Sequence, residues 1–486
     1  MSPLGSAFGE PLLPRAPPPG DCSRRLRQAA ILAFGTLSTV QLGLGVGSLN
    51  NLCSDASSSL PWCPVLVAAF GLGGLLGSVV SARCDRLARK AVLLLSRLLL
   101  LASSLLLAGG FFTSGLPSGL LLLTGRGLLG AASGIATAVT PLHLAEVSPA
   151  EIRSVASAAQ SAGVAIGILL AQLATLGGRE GGVYLLPALC AALELTVLPL
   201  LPESPTHVLR RSGSAAALSH LMTHLHLSHA GAAAHTEALR SELAEQSGEG
   251  PFSPRELLSA RSLRRELLLA AAVALSAQLC GASLSSPPPL YLDLERERLN
   301  LGLPPPDPSP GLAVGCDCLF YYSTLVFTRS GLSHPRAATA CLGVVNLAAA
   351  PLAGPLRSRV PRRTLLLLTW AGMSASYAAA AVAAMAGGKS LLAAPLACAL
   401  VCYALGPGSL GGFLAASLFP MYAKDAAMTL TVALNWAATS ATALAFPALH
   451  GLLGAHTFLA LAALSALSGA AGDRFVTGSA KSGGET

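Results

Sequence analysis

Charge is what this sequence has least of. Of 486 residues only 11% are Asp, Glu, Lys or Arg, while 52% are hydrophobic and the mean hydropathy is +0.62. A soluble chain of this length would carry roughly 25% charge. A buried core does not need so much apolar sequence, so the solvent for most of the chain is lipid. The alternation of apolar and polar residues that strands of a membrane barrel would show is also missing, which leaves helices as the spanning elements. No Asn-x-Ser/Thr sequon occurs, so no N-glycan is expected. The chain does not open on a charged region followed by a short apolar core, which argues against a cleavable leader. Residues 1–27 are proline-rich and read as a disordered segment. A phosphate-cradling P-loop is absent, so ATP is not expected as a driving cofactor. No nucleophile–base constellation and no metal cluster lies within the apolar runs, so no catalytic residues, no cofactor and no metal are expected, and the chain does not read as an enzyme.

Against those absences stand the apolar runs. Stretches of about 20 residues, long enough to cross a bilayer as helices, recur near 28–50, 62–82, 91–113, 118–142, 154–176, 183–201, 266–286, 336–356, 364–386, 391–414, 427–449 and 455–471. Lys and Arg concentrate in alternate loops: Arg83, Arg86, Arg89 and Lys90; Arg153; Arg210, Arg211, Arg261, Arg264 and Arg265; Arg357, Arg359, Arg362 and Arg363; and Lys424. That bias places both termini in the cytoplasm and accounts for the net charge of +8 without nucleic-acid binding. The cysteines are scattered in apolar runs. Cys53 and Cys63 share an outward loop, where an oxidising exterior would allow them to pair.

The expected organisation is an N-terminal bundle of six helices over 28–202, a cytoplasmic linker over 203–262, a C-terminal six-helix bundle over 263–472 and a cytoplasmic tail over 473–486. The linker carries His220, His224, His226, His229 and His235, which read as solvated helix positions in preference to a metal site. The two halves echo each other. RCDRLARKAVLLL (83–95) and LRSRVPRRTLLLL (356–368) follow the second and eighth helices, and AEVSPAEIRSVA (145–156) and ASLFPMYAKDAA (416–427) follow the fourth and tenth. Repeats on this plan mark a transporter that rocks two bundles about a midplane site.

Particular residues carry a resemblance to a known family. GRGLLGAASGIATAVTPLHLAEVSPAEIRS (125–154), AQSAGVAIGILLAQ (159–172) and LPESPTHVL (201–209), followed in order by QLCG, FYYST, GVVN, ALGPGS and LNW, resemble the facilitative sugar transporters (GLUT type) of the major facilitator superfamily. The resemblance implies an all-α membrane protein with twelve transmembrane helices in two bundles. It implies passive uniport of a hexose by alternating access, with a monosaccharide and the lipid bilayer as partners. The plasma membrane is the implied location; an internal vesicle membrane is the alternative if Glu10-Pro11-Leu12-Leu13 acts as a sorting signal.

A neutral polyol is bound by amides, hydroxyls and aromatic faces, and amides inside spanning helices are costly without a partner. The candidates for substrate contact are Gln41, Gln160, Gln278, Asn346, Asn435 and Trp436; of these, Gln160, Gln278, Asn346 and Asn435 match family sugar-contact positions. Gln172 reads as helix–helix glue. A cytoplasmic gate is expected from Arg86, Arg89, Glu146, Arg153 and Lys424. Proton-linked relatives carry an Asp in the first helix, and the matching position here is Gly45; Glu194 is the acid inside a membrane run.

The C-terminal half departs from the family pattern. Ser358 and Ser417 stand where acids are expected, Pro361 replaces a Gly, Ser283 an Asn and Lys424 an Arg, and the terminal Pro-Glu-Thr-Lys-Gly motif is missing. Ala404 and Gly412 point towards the fructose-type class, which includes urate carriers. An anionic substrate would want a cation, and Arg126 is the candidate. The lost acids make a non-transporting sensor or scaffold the rival reading. Leu284–Cys318 is extra to the family pattern. Its prolines and its DLERER run cannot continue a helix through hydrocarbon. It is either a loop that reaches the exterior and returns as a lid, or translated intron sequence; removal rejoins the family pattern, which favours the second.

Overall fold

The computed structural model of the protein describes residues 21–50, 63–83, 87–177, 180–224, 229–248, 254–260, 263–264, 267–268, 271, 317–352, 356, 359–387, 389–406 and 421–482. Gln278, Arg86, Ser283, Ser358, Gly412, Ser417 and Cys53 lie outside these residues. So do the span expected at 266–286, except for three of its residues, and the insertion up to residue 316.

The described residues contain no strand. The first half is built from α1 (Asp21–Gly47), α2 (Cys63–Arg83), α3 (Arg89–Phe112), α4 (Gly115–Val147), α5 (Ala150–Ala174) and α6 (Leu185–Val197). The linker forms α7 (Pro205–His224), α8 (His229–Gly248) and α9 (Pro254–Ser259). The second half supplies α10 (Asp317–Arg329), α11 (Pro335–Ala349), α12 (Arg362–Met385), α13 (Ala393–Leu405), α14 (Met421–Leu453) and α15 (His456–Ser482). This is the helical architecture of the twelve-helix, two-bundle fold.

Six helical stretches are long and apolar enough to cross a bilayer: Arg24–Gly47, Cys63–Ser81, Arg89–Phe112, Gly115–Leu144, Gly181–His224 and Arg363–Met385. Ala162–Ala174, Ala393–Leu405 and His456–Ala470 are shorter apolar helices. The longest, α4 and α14, have 33 residues each, about 50 Å of helix. Large apolar side chains such as Leu105, Phe112 and Leu452 face outwards, as the walls of a lipid-embedded bundle must.

Two boundaries differ from expectation. Helix α1 begins at Asp21, inside the stretch expected to be disordered, because Arg27 Nη1 anchors its first turns to the Thr223 carbonyl of α7 at 3.0 Å. Helix α15 continues to Ser482, into the expected tail, since no proline ends it between 456 and 482.

Close packing comes from small residues. In the first half α1 lies on α5, and α4 lies between α2 and α3. A Cβ at Gly43 of α1 would come within 2.8 Å of the Ile168 amide nitrogen of α5, so only glycine allows that approach. The halves touch along α2–α14, α5–α11 and α1–α10. At the first seam a Cβ on Gly74 would collide with the indole of Trp436.

Candidate functional site

The interface between the halves is where a substrate site of this fold would lie, and the predicted residues sit on helices of both halves. Gln160 of α5 and Asn346 of α11 are buried. Neither amide hydrogen-bonds to another described residue. Gln172, just over three turns along α5 from Gln160, lies against Gly343 of α11. Asn435 and Trp436 of α14 are buried. Trp436 meets Phe70 of α2 edge-on, with centroids 5.5 Å apart. Gln41 of α1 is fully buried, and both of its amide heteroatoms lack a partner. It stands three residues after Ser38 and four before Gly45, on one face of α1.

At one end of the interface the halves are latched. Asn50, just beyond α1, donates from Nδ2 to the Phe320 carbonyl at 2.5 Å and to Ser323 Oγ at 2.8 Å. Its Oδ1 accepts from the Thr324 amide at 3.0 Å. Ser323 and Thr324 both reach Thr339 of α11, at 3.2 and 2.8 Å. Tyr322 donates to the Ala443 carbonyl of α14 at 2.7 Å. The FYYST segment is thus held simultaneously by α1, α11 and α14. Asn50 was not among the residues singled out by sequence; its position one turn beyond the last apolar turn of α1 was the available signal.

The opposite end carries the basic loops. Arg89 Nη2 lies 2.6 Å from Glu146 Oε1, and Ser204 Oγ donates to Glu146 Oε2. Lys90 Nζ donates to the Leu201 carbonyl at 2.8 Å. These contacts bind α3, α4 and the start of α7 into one cluster within the first half. Of the expected gate, Arg89 and Glu146 are brought together. Arg153 sits on α5 and Lys424 on α14, with side chains outside what is described. Ser204 is an addition, contributed by the Pro-Glu-Ser-Pro stretch at 202–205.

A second network, deep in the first half, was only partly foreseen. Glu194 of α6 pairs with Arg97 of α3, with Arg97 Nε 3.2 Å from Glu194 Oε2 and both side chains fully buried. Ser38 of α1 donates to Glu194 Oε1, and Arg97 Nη2 donates to Ser38 Oγ at 2.7 Å. Arg97 also lies over the Phe34 ring at 5.1 Å. A lone acid in one apolar run and a lone Arg in another were the sequence signal, since a charge inside a membrane segment needs a partner. Arg126 of α4, the cation considered for an anionic substrate, is fully buried as well. Among the described residues of the first half, Arg97 and Arg126 are thus both fully buried.

In the linker, His220 Nε2 contacts the Glu203 carbonyl at 2.8 Å, and its ring centroid lies 4.4 Å from that of His224. The described residues contain no group of three or more metal-ligating side chains. Cys63 is disulfide-bonded, while its expected partner, Cys53, is not described.

The family model "Sugar (and other) transporter" matches residues 35–286 and 312–480, passing over 287–311. That gap falls inside the proline-rich insertion. Facilitated glucose transporter member 4 of solute carrier family 2 from Mus musculus is 28% identical over 414 residues, covering 82% of this chain and 73% of the relative. Its Homo sapiens counterpart is 27% identical over 501 residues, covering 95% of this chain and 88% of the relative. Among solved structures, the xylose transporter XylE from E. coli, in a partially occluded inward open conformation, superposes with a TM-score of 0.65 at 17% identity, over 92% of this chain and 97% of that one. That likeness shows the fold.

Proposed function

The chain belongs to the Sugar (and other) transporter family, as a GLUT-type member of the major facilitator superfamily, and from that premise we propose that it carries a hexose passively by alternating access. The observation that carries this reading is the pair Gln160 and Asn346. One comes from each half, and both are buried amides that make no hydrogen bond to the described protein. Buried, uncharged donors and acceptors contributed by both halves are what a neutral polyol requires. Gln41, Gln278, Asn435 and Trp436 complete the proposed substrate set. Arg89 and Glu146, with Arg86, Arg153 and Lys424, form the proposed cytoplasmic gate.

Uniport follows from the absence of an acid within α1 after Asp21 and from the commitment of Glu194 to Arg97. No catalytic chemistry is assigned. Both termini lie in the cytoplasm of a plasma-membrane carrier, by the distribution of Lys and Arg. On that orientation the Asn50 latch closes the external end. Ala404 favours a fructose-type pocket, and the relatives named above carry "glucose" in their names, so fructose and glucose are the hexoses to test first.

The experiment is uptake of labelled glucose, fructose and urate into proteoliposomes, with the full chain and with a version lacking Leu284–Cys318. Hexose uptake by either version that Gln160→Ala abolishes supports the reading. If neither version moves any of the three while both fold, the non-transporting sensor or scaffold replaces it. Movement of urate alone replaces the hexose.

A further inference from the structure

Arg126 is a fully buried cation with no carboxylate paired to it among the described residues. Its Nη1 donates to the Gly45 carbonyl at 2.9 Å and to Ser48 Oγ at 3.2 Å, and its Nε reaches the Leu66 carbonyl at 3.4 Å. The guanidinium lies 4.7 Å from the centroid of the Phe70 ring. Nη2 is buried and has no hydrogen-bond partner. The ion pairs Arg89–Glu146 and Arg97–Glu194 do not include Arg126. Tyr184, Tyr321 and Tyr322 lie within electrostatic reach, but phenols are neutral near pH 7.

Arg97 shows the contrast. It is equally buried, yet it has the Glu194 carboxylate and two serine hydroxyls around it. Arg126 has instead the carbonyl end of α1, whose dipole is equivalent to about half a negative charge. Among the described residues nothing compensates the rest of its charge, and an unpaired buried ion is strongly disfavoured. The position beside it explains the deficit. Residue 45, whose carbonyl Arg126 holds, is glycine, and residues 22–50 contain no acid.

We infer that Arg126 is the binding site of a small monovalent anion, taken by the free Nη2 donor between α1, α2 and the Tyr321–Tyr322 segment of α10. The chemistry required is one negative charge on an acceptor that a guanidinium can bond. An inorganic halide and the carboxylate of a small organic acid both supply it. This site stands on the charge balance of Arg126 and does not depend on which sugar is carried.

The test is thermal unfolding of the full chain in lipid nanodiscs, titrated separately with sodium chloride and sodium lactate. Parallel titrations use Arg126→Gln and Gly45→Asp. The second variant builds an internal counter-charge: its Cβ would meet Phe70 ring carbons at 3.1 and 3.2 Å, so the ring must yield slightly. The expected result is a saturable rise of the wild-type midpoint with at least one anion, by ligand linkage. That rise should be lost in Gly45→Asp and in Arg126→Gln. A response to chloride alone assigns a halide, and a response to lactate alone assigns an organic anion. No saturable rise in the wild type overturns the inference, as does an equal rise in Gly45→Asp, which controls for ionic strength even where Arg126→Gln fails to fold. A hexose titration of the same samples separates the readings: a hexose response without an anion response sinks this inference alone, and the reverse sinks only the hexose carrier.

Discussion

Asn50 and Thr324 tie the first half of the molecule to the second through the backbone of α10. The Thr324 amide donates to Asn50 Oδ1 at 3.0 Å, and Asn50 Nδ2 returns bonds to the Phe320 carbonyl and Ser323 Oγ. Both residues are fully buried. A single side chain thus satisfies one donor and two acceptors of a segment that water does not reach, which makes it a latch that is either fully made or fully broken.

Asn50→Ala removes all three bonds at once. At a net value of about 1 kcal/mol or less each, the closed arrangement loses roughly 2 kcal/mol, a change of about thirtyfold in the ratio of latched to unlatched molecules. Hydrogen–deuterium exchange across 317–329 should accelerate accordingly. Unchanged protection of that segment would show that Asn50 does not hold it.

The Arg97–Glu194 pair predicts a double-mutant signature. Arg97→Gln and Glu194→Gln each strand a buried charge and should each cost about 3–5 kcal/mol. The double variant leaves two neutral amides able to bond each other and Ser38, and should recover most of that loss. Thermal unfolding in one detergent measures all three. Additive losses would mean that the two charges act independently.

Gln160→Ala and Asn346→Ala delete amides without a described protein partner. Stability should therefore change little, whereas hexose uptake should fall by roughly tenfold for each hydrogen bond lost to substrate. Parallel unfolding and uptake assays separate the two effects. A large drop in unfolding temperature with either variant would assign that amide to helix–helix bonding.

Gly74→Val should jam the α2–α14 seam, because the added side chain meets the Trp436 indole. Overpacking of this kind costs about 1–3 kcal/mol. Trp436→Ala in the same background should return part of it. Failure of the second change to relieve the first would place the clash elsewhere.

Much of this was legible in the sequence. Apolar length marks a spanning helix because lipid demands it, and the repeated basic loops separate the two halves. The resemblance over 125–154 and 201–209 pointed to the family, and Arg89 and Glu146 do meet. Other features were hidden. Asn50 is a polar residue at a helix end, a position where most polar residues are merely solvated. Arg97 sits in a leucine-rich run and passes as one basic residue among the many near a loop. Both acquire meaning only from residues 270 and 97 positions away.

The sequence by itself determined that this chain is a membrane-embedded helical bundle with two related halves, because hydropathy and positive charge act locally along the chain. Only the tertiary structure decided which of its buried charges are answered. Arg97 and Arg126 look alike in a linear reading, each a cation inside an apolar stretch of helix. Packing brings Glu194 to the first and leaves the second facing a glycine. Coulombic pairing depends on distances of a few ångströms between helices, which no pattern along one helix encodes.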